Sequence, residues 1–113
     1  MKIVKDKISL STLEKMAKEK FGSLVKAVVD IERKIMVIDG ELHADEEALL
    51  LSSGSRQEHL WGINLYPELP QSDWIEFDSM INLRPGSGNR SRNIDDPKVR
   101  DEIIEIVNRL VRR

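Results

Sequence analysis

The run from Leu24 to Ile38, LVKAVVDIERKIMVI, constrains the fold more than any other stretch. It is rich in Val and Ile, whose branched side chains suit a pleated, half-buried surface. Its fifteen residues exceed an ordinary strand of about 3–10 residues. The charged triplet Glu32-Arg33-Lys34 sits mid-way. The run therefore predicts a hairpin, Leu24–Ile31 followed by Ile35–Ile38. The turn contains no Gly or Asn, so its type is not readable from composition.

The flanking segments supply the other elements. Lys2–Lys5 suits a short first strand. Ser11 and Glu14 have the spacing of a capping box, and Leu13, Met16, Ala17 and Phe21 follow as a helical stripe that Gly22 ends. Lys15, Lys18 and Lys20 read as a solvated helix face. Asp39-Gly40 signals a turn. Asp45 is the expected N-cap of a second helix, with Glu46 and Glu47 in its first turn and Leu49, Leu50 and Leu51 too many for one stripe. His59–Tyr66 and Trp74–Arg84 alternate like strands. Antiparallel pairing about the loop between them puts Tyr66 opposite Trp74, Leu65 opposite Ile75, Ile63 opposite Phe77 and Trp61 opposite Ser79. In that register Trp61 is a core residue. Trp74 starts its strand on the polar side, where it could form an exposed patch with Tyr66 or cap the sheet. Asp96 caps a last helix, Pro97 opens it, and Val99, Ile103, Ile106, Val107 and Leu110 form its stripe. The order β-α-β-β-α-β-β-α predicts one α+β domain over residues 1–113. Its sheet is antiparallel or mixed, of four to five strands, with about three helices mainly on one face.

Composition narrows the function classes. Apolar residues make up 40% of the chain and charged residues 34%, a globular balance with a heavily charged surface. No apolar run is long enough to cross a membrane, and Lys5, Asp6 and Lys7 stand where a signal peptide needs apolar residues. With no Cys, disulfides and thiolate metal sites are excluded. A cytoplasmic location is the expectation. The net charge of −2 argues against a dedicated nucleic-acid binder, so any such role needs a local basic patch.

Three segments carry a resemblance. They are Asp39-Gly40-Glu41-Leu42-His43-Ala44-Asp45, Leu60-Trp61-Gly62-Ile63-Asn64-Leu65-Tyr66-Pro67, and Asn82-Leu83-Arg84-Pro85 with Gly88-Asn89-Arg90-Ser91. Through them the chain resembles a family of small uncharacterised bacterial and archaeal proteins grouped as a domain of unknown function. That resemblance covers most of the chain. It implies a recurring pattern but no activity, cofactor or catalytic residue.

From Ser79 to Ile94 there is no acidic residue. Arg84, Asn89, Arg90 and Arg92, with Asn82 and Asp78 before them, are the candidate ligand-binding residues. Guanidinium groups bind phosphate or carboxylate through paired hydrogen bonds. Pro85, Gly86 and Gly88 let the backbone turn, and Pro85 holds Arg84 extended. The alternative is that these Arg side chains pair with Asp78, Asp95, Asp96 or backbone carbonyls and fix the loop. GSGNRSR lacks the ending of a phosphate-binding Walker loop. His43 and His59, with Asp45, Glu46 and Glu47, lack the spacing of a metal site and read as core or edge histidines. No metal or cofactor is expected. The leading reading is a small binding or regulatory protein with an anion-binding basic loop. Its ligand is a phosphate-bearing small molecule, a nucleic-acid backbone or an acidic protein segment. A hydrolase or nuclease reading uses Arg84 or Arg90 on a phosphoryl group, with Glu58, Glu76 or Asp78 as base. A third reading is a homo-oligomer joined through Leu49–Leu51 or the Trp74 edge.

Overall fold

The hairpin is the centre of the sheet. In the computed structural model, which describes residues 1–113, β3 (Val25–Asp30) and β4 (Ile35–Ile38) pair antiparallel, with Val28 opposite Val37. β1 (Lys2–Val4) adds to the outside of β4, β5 (Leu60–Leu65) to the outside of β3, and β6 (Ile75–Glu76) to β5. All five strands run antiparallel to their neighbours. Asp30 closes the hairpin turn, because its Oδ1 accepts from the N–H groups of Glu32 and Arg33, both at 2.9 Å. Its Oδ2 accepts from Ser55 Oγ at 2.6 Å, which ties the turn to a neighbouring loop. A buried carboxylate thus does the work that Gly or Asn does in other turns.

Strand alternation divides the core in two. Ala27, Val29, Met36, Ile38, Ile63 and Leu65 face one side, where α1 (Leu10–Lys20) and α3 (Pro97–Leu110) cover them. Val28, Ile35, Val37 and Leu60 face the other and meet Leu50 of α2 (His43–Ser52). Two helices on one face and one on the other make an α+β domain. A parallel pair, β2 (Ile8–Ser9) with β7 (Val111–Arg112), ties the start of α1 to the end of α3. No alternation in the sequence announces strands of that length.

Several expectations are corrected. The cap of α1 is Ser9, not Ser11, since Ser9 Oγ accepts from Thr12 N–H at 3.2 Å. α2 begins at His43 rather than after Asp45, with Leu42 at its N-cap and no side chain capping it. There Glu46 reaches back to the N–H of Gly40 at 3.0 Å, which draws the chain into the helix three residues early. The cap of α3 is Asp96, with Pro97 first, as the sequence predicts.

The long strand predicted over Trp74–Arg84 ends after Glu76. Its first pairs are those expected, Leu65 with Ile75 and Asn64 with Glu76, and Tyr66 N–H donates to Trp74 C=O at 2.8 Å. The ladder then stops, because Asn82 takes the place of a strand. Its Oδ1 accepts from Gly62 N–H at 2.8 Å and its Nδ2 donates to Gly62 C=O at 2.9 Å. Gly62 permits this approach: a Cβ there would meet Ser79 Cβ and Oγ at 2.6 Å. Gly62 therefore lies beneath Ser79 and Asn82. Trp74 is 1% exposed and belongs to the larger core, while Trp61 is only half-buried at its margin. Trp74 thus offers no exposed patch, and the Arg84 guanidinium, 4.0 Å from the Trp61 ring centre, covers the other indole. His59 is half-buried in a short 3-10 turn, Gln57–His59, ahead of β5.

Candidate functional site

The predicted loop is tightly bonded. Asn89 is buried, and its Nδ2 donates to the carbonyls of Asn82, Ser91 and Asn93 at 2.7, 3.0 and 2.7 Å. Its Oδ1 accepts from Asp95 N–H at 2.8 Å. Gly88 takes the left-handed turn at φ 90°, and Arg84 and Asn89 exchange backbone bonds of 2.8 and 3.1 Å. Asp95 closes the far side by accepting from Ser91 Oγ and Arg90 N–H, which hold its carboxyl below the usual range.

The three arginines of this loop have three different surroundings. Arg84 donates to the carbonyls of Gln57 and Leu60 at 2.8 and 2.7 Å and stacks on Trp61, so it clamps the entry to β5. Arg90 has an exposed side chain with no hydrogen bond or ion pair. Arg92 pairs with Asp78 through Nε and Nη2 at 2.8 and 3.4 Å, which leaves its Nη1 unbonded. Of the carboxylates suggested as bases, Glu58 pairs with Arg56 at 2.8 Å, and Glu76 accepts from Asn64 at 2.9 Å and Tyr66 at 3.1 Å.

Arg92 also borders a cleft of about 200 Å³ that the other loop arginines do not line. Lys26 of β3, Leu42, His43 and Ala44 at the start of α2, and Ser79, Met80 and Ile81 complete its wall. α2 has no side-chain cap, and the N–H groups of His43 and Ala44 have no partner. Such a helix end carries about half a positive charge. Lys26 has no carboxylate within ion-pairing distance. Lys26 and Arg92 are the cations in its wall, and Asp78 pairs with Arg92 from outside it. The rim is apolar: Leu42 is 57% and Met80 61% exposed.

Two buried acid–base groups lie on the sheet side of α2. His43 is 8% exposed, and its Nε2 lies 2.8 Å from Ile63 C=O. Burial pushes its pKa down, aided by Lys26 and Arg92, while the bond to Ile63 and the nearby Asp78 oppose this. Glu46, one turn on, is completely buried, and burial raises its carboxyl to about 9. Its Oε1 has no partner. A side chain at position 40 would strike it, since a Cβ on Gly40 would lie 2.6 Å from Glu46 Cγ. No group of three or more His, Asp or Glu is placed to share a metal ion.

The sequence names Arg92, Asp78 and His43 but does not group them, because they come from separate segments. Lys26 reads there only as a strand residue, and the uncapped start of α2 is hidden behind Asp45. An available signal is Leu42 in place of a capping residue directly before His43-Ala44.

The fold and the cleft define a small α+β domain with a positively charged pocket at a helix start. No helix is long and apolar enough to cross a membrane. The chain belongs to the family described as "Protein of unknown function (DUF5674)", whose model matches residues 2–110. No curated protein and no solved structure matches it. The three segments that carry the resemblance are bonded to one another through β5: His43 binds Ile63 C=O, Asn82 binds Gly62, and Arg84 binds Leu60 C=O.

Proposed function

We propose that the protein is a cytoplasmic binding protein for a small anion, held in the cleft at the start of α2. The observation that carries this reading is the pair of unpartnered N–H groups on His43 and Ala44, between Lys26 and Arg92. Helix N-termini with free N–H groups favour anions, and two flanking cations add charge-assisted bonds. The basic loop enters through Arg92, whose side chain Asp78 holds and whose carbonyl accepts from Asn82 Nδ2. Arg90 adds positive potential from the surface, and Arg84, Asn82 and Asn89 support the frame. Two or three charge-assisted bonds, less the cost of association, give a dissociation constant on the order of 1 mM for a minimal ligand.

The test is a titration of isotope-labelled protein with phenylacetate at low ionic strength. The amide signals of His43, Ala44 and Met80 shift in the wild type, salt weakens the effect, and Lys26→Met loses most of it. Shifts centred on Arg84–Arg90 instead, or none at millimolar phenylacetate, contradict the reading.

A further inference from the structure

His43 lines the cleft, and one nitrogen of its ring has no partner. Its Nε2 partner, Ile63 C=O, can only accept, so Nε2 carries the hydrogen. The neutral ring then has a bare lone pair on Nδ1. That atom makes no hydrogen bond and is not among the buried polar atoms sealed from solvent. Burial and the nearby Lys26 and Arg92 favour the neutral ring, the bond to Ile63 and Asp78 oppose them, and burial disfavours the charged form of Glu46 on the next turn of α2. A lone pair thus stands beside N–H groups and cations that attract an anion. A bare carboxylate offers only acceptors and gains nothing from Nδ1. A ligand that also presents an O–H beside its carboxylate satisfies both.

Charge and shape narrow the class further. Lys26 and the helix end, beside an Arg92 already paired with Asp78 and with Asp45 in the first turn, match a monoanion better than a doubly charged phosphate ester. Leu42, Met80 and Ile81 leave an apolar wall next to the polar floor. We infer that the cleft selects a 2-hydroxycarboxylate with an apolar side chain. The carboxylate lies on the N–H groups of His43 and Ala44 between Lys26 and Arg92. The hydroxyl donates to His43 Nδ1, and the apolar group covers Leu42 and Met80. This rests on the anion-binding reading and adds the hydrogen-bond donor to it.

Three probes on the unaltered protein test it: 3-phenyllactate, 2-methoxy-3-phenylpropanoate and 3-phenylpropanoate. The first can donate to Nδ1, the second can only accept, and the third can do neither. One hydrogen bond of about 1 kcal/mol corresponds to roughly fivefold in affinity. 3-Phenyllactate binds about fivefold tighter than either analogue, and only it moves the His43 Nδ1 resonance in a long-range proton–nitrogen spectrum at neutral pH. Equal affinity of the hydroxy and methoxy acids, or an unmoved Nδ1 signal, overturns this inference and leaves the anion cleft standing. Absence of shifts at His43 and Ala44 with all three acids overturns both.

Discussion

Replacing Glu46 by Gln should make the protein more stable at neutral pH and remove a pH dependence. Glu46 is 0% exposed, and its carboxyl is raised from an ordinary 4.5 to about 9. Between those two values the folded chain holds a proton on this group that the unfolded chain has released. Stability from this residue is therefore fully present below pH 4.5 and falls as pH rises, until the group ionises near 9 in the folded state. The slope is about 1.4 kcal/mol per pH unit. By pH 7 the accumulated loss is roughly 3 kcal/mol. Gln has nearly the same shape and does not titrate. Its amide oxygen accepts from Gly40 N–H as Oε2 does, and its NH₂ occupies the place of the unpartnered Oε1. Urea unfolding of both proteins from pH 5 to pH 8.5 gives the difference in free energy, from which all other titrating groups cancel. The difference should grow in favour of Glu46→Gln by about 1.4 kcal/mol per unit. Parallel profiles would mean that Glu46 is ionised within the fold, and the burial reasoning would be refuted.

Three other substitutions probe the frame. Trp74→Ala should cost about 3–5 kcal/mol, because it empties a large buried site. Trp61→Ala should cost roughly 1–2 kcal/mol, because that ring is half-exposed; denaturant melts that reverse this order would show the two indoles exchanged. Asn89→Ala leaves three carbonyls and the Asp95 N–H without their partner and should cost about 3 kcal/mol. It should also release the Asp95 amide to rapid hydrogen exchange, and continued protection there would exclude the network.

Much of the fold is legible in the chain, because it follows from periodicity. The Leu24–Ile38 hairpin, the stripe of α3 and the Leu65–Ile75 register are local patterns that tertiary contacts leave intact. What the sequence conceals depends on single side chains acting at a distance. Asn82 reads as one more residue of an alternating strand, yet its amide replaces the strand by bonding both backbone groups of Gly62. Asp45 has the chemistry of a cap, but Glu46 and Gly40 start α2 earlier. The basic loop is visible as composition, while the separate surroundings of Arg84, Arg90 and Arg92 are set by Trp61, solvent and Asp78. Lys26 and His43 reach one cleft only because β3 and the start of α2 lie on the same sheet face.

A crystal structure with bound 3-phenyllactate tests the central claim most directly. The account places the carboxylate within hydrogen-bond distance of the His43 and Ala44 N–H groups, between Lys26 and Arg92. Ligand density against the Arg84–Arg90 segment, with the start of α2 empty, would contradict it.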